Sequence, residues 1–423
     1  MRLYIGIDDT DSVNKYCTTY IGYVVSTYAD KFSATIVHFP KLIRLNPNIP
    51  YKTRGNAAIS FTFDIDNEKV AEFENEIIKK VEQLSDLDDK NTNPGIVFLE
   101  KIPKEVSTFS KRALKYHVTI EDAEKILQNI GAKYHKYKNG RGIIGALAAI
   151  GYVFNDCTYE IISYRKKERW GTKRTIDKNS VFSMNTETLP YTINNIDRES
   201  KKILICPNTA CPIFCGIRGE NPKIVQSAFE TLSIDEELQG SIIYQTNQHT
   251  DDNVIEIDSS SAIEDMTTIK CRFTVLEDPI TIKGSHTFFL AGNDTIKVKI
   301  CSFSKNRALQ KVAQKLRRGD NITVWGSVSL KEETPTLHLE KMKVGSCVSE
   351  VVETNPTCPI CNKTGESAGK NQEFRCRKCK TTLGYEKIRK TIDRDIVGFY
   401  EPPESSQRHL HKQIRRYENV VAR

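Results

Sequence analysis

Three carboxylates, Asp8, Asp9 and Asp11, fall within four residues of one another near the start of the chain, and the hydroxyls of Thr18 and Thr19 follow shortly after. Clustered carboxylate oxygens suit a hard cation such as Mg²⁺, which is held by one or two carboxylates together with waters and the phosphates of a substrate. The chemistry on offer is therefore phosphoryl transfer. Leu3, Ile5 and Ile7 alternate with Tyr4 and Gly6, so a short strand delivers the acids. Successive strand side chains point to opposite faces, and Asp8 and Asp11 converge only if the chain turns near Asp9 and Thr10. Tyr20, Ile21, Val24, Val25 and Tyr28 then recur at helical spacing. That predicts a helix with Thr18 or Thr19 as N-cap, its free N–H groups aimed at the acidic turn, where a phosphate is stabilised. The plainer alternative is an acidic turn and a threonine cap that merely join strand to helix.

The segment from Pro40 to Pro50 reads as a loop with little regular structure. It carries Lys41 and Arg44, continues to Lys52, Arg54, Gly55 and Asn56, and is expected to form a phosphate-binding wall opposite the aspartates. A basic surface loop is the alternative. The chain has no G-x-x-x-x-G-K-[ST] motif, so ATP would need a different phosphate site.

Fold class is multidomain α+β. Residues 1–118 alternate strands and helices as an α/β unit. Residues 119–245 follow with helix, strand, helix, strand in the order of a ferredoxin-like domain. Cys206, Cys211 and Cys215 lack a nearby fourth ligand, which argues against zinc there. Residues 253–348 contain five short strands with a helix, 305–316, between the third and fourth, the arrangement of an OB-fold β-barrel, a common oligonucleotide binder. Cys358-x2-Cys361 and Cys376-x2-Cys379 stand 14 residues apart and predict a four-cysteine zinc ribbon over 351–390, with structural Zn²⁺. Residues 391–423 are expected to be a basic C-terminal tail.

With 12 cysteines and no signal-peptide or membrane-length apolar run, the sequence points to a cytoplasmic protein with thiols or metal sites rather than disulfides. The net charge of +8 is unevenly spread. From Val351 to Arg423 there are 15 Lys/Arg against 9 Asp/Glu, and Arg165 to Lys178 holds seven bases and two acids around Trp170. A polyanion is the natural partner of such patches, although a solvated basic face is the commoner meaning of either alone.

Several blocks carry a resemblance. G-I-D-D-T-D-S with C-T-T-Y, L-I-R-L-N-P-N-I-P with K-T-R-G-N, N-P-G, G-R-G-I-I-G-A-L-A-A-I-G, F-C-G-I-R-G-E and Q-T-N-Q occur in the order in which similar blocks occur in the archaeal tRNA 2-agmatinylcytidine synthetases. Those enzymes join agmatine to the wobble cytidine of an isoleucine tRNA with a CAU anticodon. The resemblance implies an N-terminal kinase-like domain ahead of the ferredoxin-like one, ATP and agmatine as substrates, and cleavage of ATP to AMP. It matches Thr18 to a threonine that phosphorylates itself and Asp8, Asp9 and Asp11 to Mg²⁺-binding acids. It also implies an agmatine pocket near Cys211, Pro212, Gly216 and Arg218. Two readings of other classes stand beside it: a non-catalytic OB-fold and zinc-ribbon protein that binds nucleic acid, and a different ATP-dependent RNA-modifying enzyme.

Overall fold

The computed structural model describes residues 1–12, 15–52, 55–258 and 262–417. The N-terminal alternation builds β1 (Arg2–Asp8), with Leu3, Ile5 and Ile7 buried. Nine more strands join it in a single sheet. They are β2 (Thr35–Ile36), β3 (Lys41–Arg44), β4 (Ala57–Asp64), β5 (Gly95–Leu99) and β6 (Lys133–Lys136). Then come β7 (Thr158–Arg165), β8 (Thr192–Ile193), β9 (Ile213–Gly219) and β10 (Leu238–Thr246). The order across the sheet is β6-β5-β1-β4-β3-β10-β7-β9-β8, with β2 paired to β4.

Two expectations change here. The segment after Pro40 is not a bare loop, because Lys41–Arg44 form β3, antiparallel to β4 and parallel to β10 with Lys41 opposite Gln245. This pair is the seam that fuses the two α/β halves into one sheet. The division at residue 118 also moves: β6 pairs with β5, so the chain up to about residue 139 belongs to the first half.

Helices α1 (Thr18–Ala29) and α2 (Val70–Gln83) cover one face of the first half; α3 (Lys104–Lys115), α4 (Ile120–Asn129) and α5 (Gly142–Gly151) cover the other. The pleat divides β3 accordingly, Leu42 packing with α1 and Ile43 with α3 and α5. Nearly every residue of α5 is buried, since it lies between the sheet and α3. Glycines make that closeness possible: a Cβ on Gly6 would meet the Ala146 carbonyl oxygen at 2.1 Å, and one on Gly95 the Ile143 nitrogen at 2.1 Å. In the second half, α6 (Lys178–Thr188) and α7 (Pro222–Glu230) pack on β7 and β9.

The next unit contains β11 (Val254–Glu256), β12 (Thr268–Val275), β13 (Ile280–Thr281), β14 (Thr287–Gly292), β15 (Lys297–Ser302), α8 (Arg307–Lys315), β16 (Asn321–Ser329) and β17 (Thr336–Ser346). Strands run β12-β16-β17-β15-β14, and β14 pairs back to β12. The result is a closed five-stranded barrel with its helix between the third and fourth strands, the OB connectivity that the sequence predicts.

The ribbon module opens and closes on β18 (Glu350–Thr354) and β21 (Ile388–Ile392), with β19 (Glu366–Ser367) and β20 (Phe374–Arg375) inside. β22 (Gly398–Tyr400) then returns to β17, and the chain continues to α9 (Ile414–Tyr417). The basic tail is therefore corrected, as far as Tyr417, to a strap, and its residues 418–423 lie outside the described residues. Arg394 makes a two-pronged pair with Asp320, both contacts 2.7 Å. Arg408 reaches Glu340, and Lys412 and Arg416 share Asp156, with Arg416 also on Glu220. These bases neutralise the protein's own carboxylates on the sheet and barrel. Among the described residues, no helix is long and apolar enough to cross a membrane, and the 12 cysteines are all unbridged.

Candidate active site

β1 ends at Asp8, and Asp9 takes φ 56°, a left-handed conformation that aspartate tolerates better than most residues. The chain reverses there, with Asn93 N–H donating to the Asp9 carbonyl (3.1 Å) and the Thr92 hydroxyl to that of Asp11 (2.6 Å). Asp8 projects toward α5 so closely that a Cβ on Gly145 would lie 1.9 Å from its Oδ2. Asp9 pairs with Arg141, Nη2 to Oδ2 at 2.8 Å. Asp11 accepts the Thr18 backbone N–H (2.7 Å) and the Thr18 hydroxyl (3.2 Å), and the Thr10 hydroxyl donates to Thr18 Oγ1 (2.9 Å). The N-cap position falls to Cys17, one residue before the predicted threonines, and the Asp11 carboxylate does the capping from across the turn.

These residues line one end of a cavity of about 320 Å³, whose far wall is the α3–α4 connection from Tyr116 to Glu121. Burial, then the charges of Asp9 and Asp11, pushes the Asp8 carboxyl well above its ordinary range. Burial also raises Asp9, to about 7, despite Arg141 beside it. Asp8 has no ion pair among the described residues. The three carboxylates do not close into a cage: among the described residues, only the ribbon cysteines bring three or more ligand atoms within 4.8 Å of one another. An open, under-neutralised set of oxygens fits a cation completed by substrate phosphates and water, not a saturated protein site.

Of the predicted phosphate wall, Lys52 and Asn56 line the cavity. Lys52 donates to the Pro47 carbonyl, and Asn56, at φ 48°, donates to the Asn46 carbonyl (2.9 Å). Gly55 sits where a Cβ would meet Arg44 Nη1 at 2.2 Å, and Arg54 lies outside the described residues. Lys41 is corrected: the pleat turns it to the α5 face, where Nζ donates to the Ile150 and Tyr152 carbonyls (3.3 and 2.7 Å) at the end of α5 remote from Asp8. Burial lowers its ammonium to about 8. Arg44 lies on the α1 face outside this cavity, its backbone held by Asn247 (2.8 and 3.0 Å). Burial depresses its guanidinium to about 10.

The four predicted agmatine residues separate. Arg174 donates to the Cys211 carbonyl (2.9 Å), and Arg165 N–H to that of Pro212 (2.8 Å), so this pair belongs to a loop apart from the aspartate cavity. Gly216 and Arg218, on β9, face Glu160, which accepts Arg218 Nε (3.0 Å) and Gln248 Nε2 (2.6 Å). The sequence reading missed Arg141, Gly145 and Glu160. Arg141 lay in a Gly-Arg-Gly run read as an ordinary turn, and Gly145 in an apolar helix. Glu160 had a usable signal as the lone acid among Thr158 to Tyr164.

Away from this site, Cys358, Cys361, Cys376 and Cys379 bring their sulfurs within 4.8 Å of one another. Two tight turns do it, with Cys358 N–H on the Lys363 carbonyl (2.9 Å) and Cys376 N–H on that of Thr381 (2.8 Å). Four thiolates fill a tetrahedral sphere, so these four form a structural zinc site.

Family models match along the chain: the TiaS TCKD domain over residues 4–139, the TiaS FLD domain over 140–253 and the TiaS C-terminal zinc ribbon domain over 355–396. The isoleucine tRNA 2-agmatinylcytidine synthetase TiaS of Archaeoglobus fulgidus is 38% identical, with 100% of this chain and 99% of the relative covered. That of Methanocaldococcus jannaschii is 39% identical, with 98% of each covered. Among solved structures, a complex of TiaS with its isoleucine tRNA and ATP superposes with a TM-score of 0.87 at 37% identity, covering 98% of this chain and 97% of that one. A complex of TiaS with the same tRNA, AMPCPP and agmatine gives 0.86 at 34%, covering 100% and 99%. The chain belongs to the TiaS family of isoleucine tRNA 2-agmatinylcytidine synthetases.

Proposed function

We propose that this protein ligates agmatine to the wobble cytidine of the CAU-anticodon isoleucine tRNA at the expense of ATP, with the aspartate cavity as its phosphoryl-transfer site. One observation carries the reading: the Thr18 hydroxyl, the Asp11 carboxylate and the free Asp8 carboxylate open on a single cavity at the N-terminus of α1. Relatives solved with isoleucine tRNA, ATP, AMPCPP and agmatine support it. The first sheet half, residues 4–139, then acts as the kinase-like domain, and the second supplies the ferredoxin-like layer against which tRNA and agmatine are positioned.

In this reading the phosphates of ATP enter beside Lys52 and Asn56, at the positive end of the α1 dipole. Asp8, with Asp9 and Asp11, would hold Mg²⁺, which when bound would neutralise charge on the transferring phosphoryl group. Thr18 accepts a phosphoryl group from ATP: the bond from phosphorus to Oγ1 forms as a phosphoanhydride bond breaks and the remaining nucleotide departs, and the hydroxyl proton leaves toward Asp11. The cytidine leaves the anticodon stack at a cost of a few kcal/mol. Its C2 oxygen, once phosphorylated, becomes a leaving group; the amine of agmatine attacks C2 and phosphate departs with that oxygen. Glu160, buried and paired with Arg218 and Gln248, positions Arg218 on the sheet face that it shares with Gly216. Gly216 and Arg218, on the face of β9 beside Glu160, are taken as the agmatine-side residues, while Cys211 and Pro212 are held in the loop before β9 by Arg174 and Arg165.

The test is ATP cleavage with the tRNA and agmatine each omitted in turn, alongside transfer of label from γ-labelled ATP to the protein. The reading expects AMP release, protein labelling at Thr18 and loss of both in Asp8→Asn. ATP left intact under all conditions would favour a non-catalytic binding protein. AMP release indifferent to agmatine would favour a different RNA-modifying enzyme.

A further inference from the structure

The loop after β7 holds most of the basic cluster around Trp170, and the structure separates its bases into two groups. Arg165 is buried and paired with Glu236, Lys166 meets Glu237, and Arg174 donates to the carbonyls of Pro207, Cys211 and Ile213. Those three hold the loop in place. Lys167, Arg169, Lys173 and Lys178 form no ion pair among the described residues, and all four are exposed. Their charges face solvent in one short stretch. Of the two acids within it, Asp177 is engaged as the N-cap of α6, and only Glu168 sits among the bases.

The loop is not free to wander. Trp170 donates from Nε1 to the Arg165 carbonyl (3.0 Å) and sets its ring edge-on to Tyr20 (5.1 Å between centroids) and Tyr16 (5.8 Å). Tyr16 and Tyr20 flank Thr18 by two residues on either side. The tryptophan therefore fixes its loop against the two tyrosines that bracket Thr18 at the N-terminus of α1. Beneath the loop lies a hollow of about 630 Å³ with a mixed lining, Lys173, Lys178, Asn208 and Thr209 beside Ile176 and Ile203.

We propose that the Trp170-anchored loop, through Lys167, Arg169 and Lys173, is the surface that grips the sugar-phosphate backbone of the anticodon arm. The inference rests on the functional reading above, and its reasoning is geometric. A cytidine brought to Thr18 comes to the stretch that Tyr16 and Tyr20 bracket, and Trp170, packed on both, holds exposed bases without an ion pair on that side. Phosphate contacts fix register and orientation without reading sequence. Arg394, Lys412 and Arg416 of the strap, in contrast, are already neutralised by Asp320, Asp156 and Glu220 and have little left for RNA.

The test uses the full chain with Lys167, Arg169 and Lys173 all replaced by alanine, none of which touches the aspartate cavity. Binding of an isolated anticodon stem-loop RNA and of an acceptor-stem minihelix is measured at several salt concentrations. Stem-loop affinity should fall about ten- to a hundredfold near ~0.1 M salt, and the slope of log affinity against log salt should become shallower by about 2, as three lost phosphate contacts require. Melting temperature and Thr18 labelling should match wild type. Unchanged stem-loop affinity and slope, or a loss confined to the minihelix, would overturn the assignment. A wild-type protein that binds the stem-loop through these residues yet ligates no agmatine would sink the functional reading and leave this surface standing.

Discussion

Gly145→Ala adds one methyl group at the point where Asp8 meets α5. The new Cβ would lie 1.9 Å from Asp8 Oδ2, 2.6 Å from Cγ and 3.0 Å from Cβ, whereas ordinary contact begins near 3.4 Å. The carboxylate must retreat by about 1.5 Å, because α5 has nowhere to go. Behind it, Gly6 and Gly95 already approach Ala146 and Ile143 so closely that only hydrogen fits. In a helix interior, alanine is preferred to glycine by about 1 kcal/mol, which offsets part of the steric cost and keeps the fold intact. A misplacement of about 1 Å at a reacting centre costs on the order of a hundredfold in rate. The variant should therefore melt within a few degrees of wild type while ATP cleavage and Thr18 labelling fall about a hundredfold, the phenotype of Asp8→Asn reached without touching an acid. Wild-type turnover in a folded Gly145→Ala protein would refute the placement of Asp8 in the reaction.

The strap makes its own prediction: Arg416→Met leaves Glu220 and part of Asp156 without a partner, and calorimetry should show a loss of about 3–5 kcal/mol, whereas a loss below about 1 kcal/mol would return the tail to solvent. Asp9 links stability to pH. Its folded value near 7 exceeds the ordinary 3.8, so the metal-free protein is favoured at low pH and loses up to about 4 kcal/mol as pH rises from about 4 to 7. Mg²⁺ competes with that proton, and its effect on melting temperature should be larger at pH 8 than at pH 6; equal gains would remove Asp9 from the metal site. Cys376→Ser should release zinc and unfold the ribbon locally, since metal binding and ribbon folding are coupled, while ATP cleavage persists. Loss of ATP cleavage in that variant would tie the ribbon to the chemistry.

Local pattern carried much of this architecture. The alternation in β1, the five barrel strands and the paired Cys-x2-Cys turns each specify their element within a few residues, and all three stand where the sequence puts them. α3 was also legible from Val106, Phe109 and Ala113 at helical spacing, yet the sequence reading passed over it. The seam between β3 and β10 joins residues about 200 apart, and no local signal encodes such a pairing. Lys41 and Lys52 look alike in sequence, but the pleat of β3 sends the first under the end of α5, while the second, in the connection between β3 and β4, lines the cavity. The strap is hidden for a similar reason: a run of bases reads as solvated until Asp156, Glu220 and Asp320 are seen beside it. At the site itself, the clustering of the acids is a local feature of the sequence, whereas Thr18 was singled out from Thr19 by the family resemblance and not by spacing. Arg141 and Gly145 were not visible, because their roles depend on where α5 lands.

The most direct measurement is mass spectrometry of the nucleosides from unmodified CAU-anticodon isoleucine tRNA after incubation with the protein, ATP and agmatine. The account predicts 2-agmatinylcytidine in place of one cytidine, absent when agmatine is omitted and absent with Asp8→Asn. Unmodified cytidine from a folded protein that binds this tRNA, or full modification by Asp8→Asn, would contradict it.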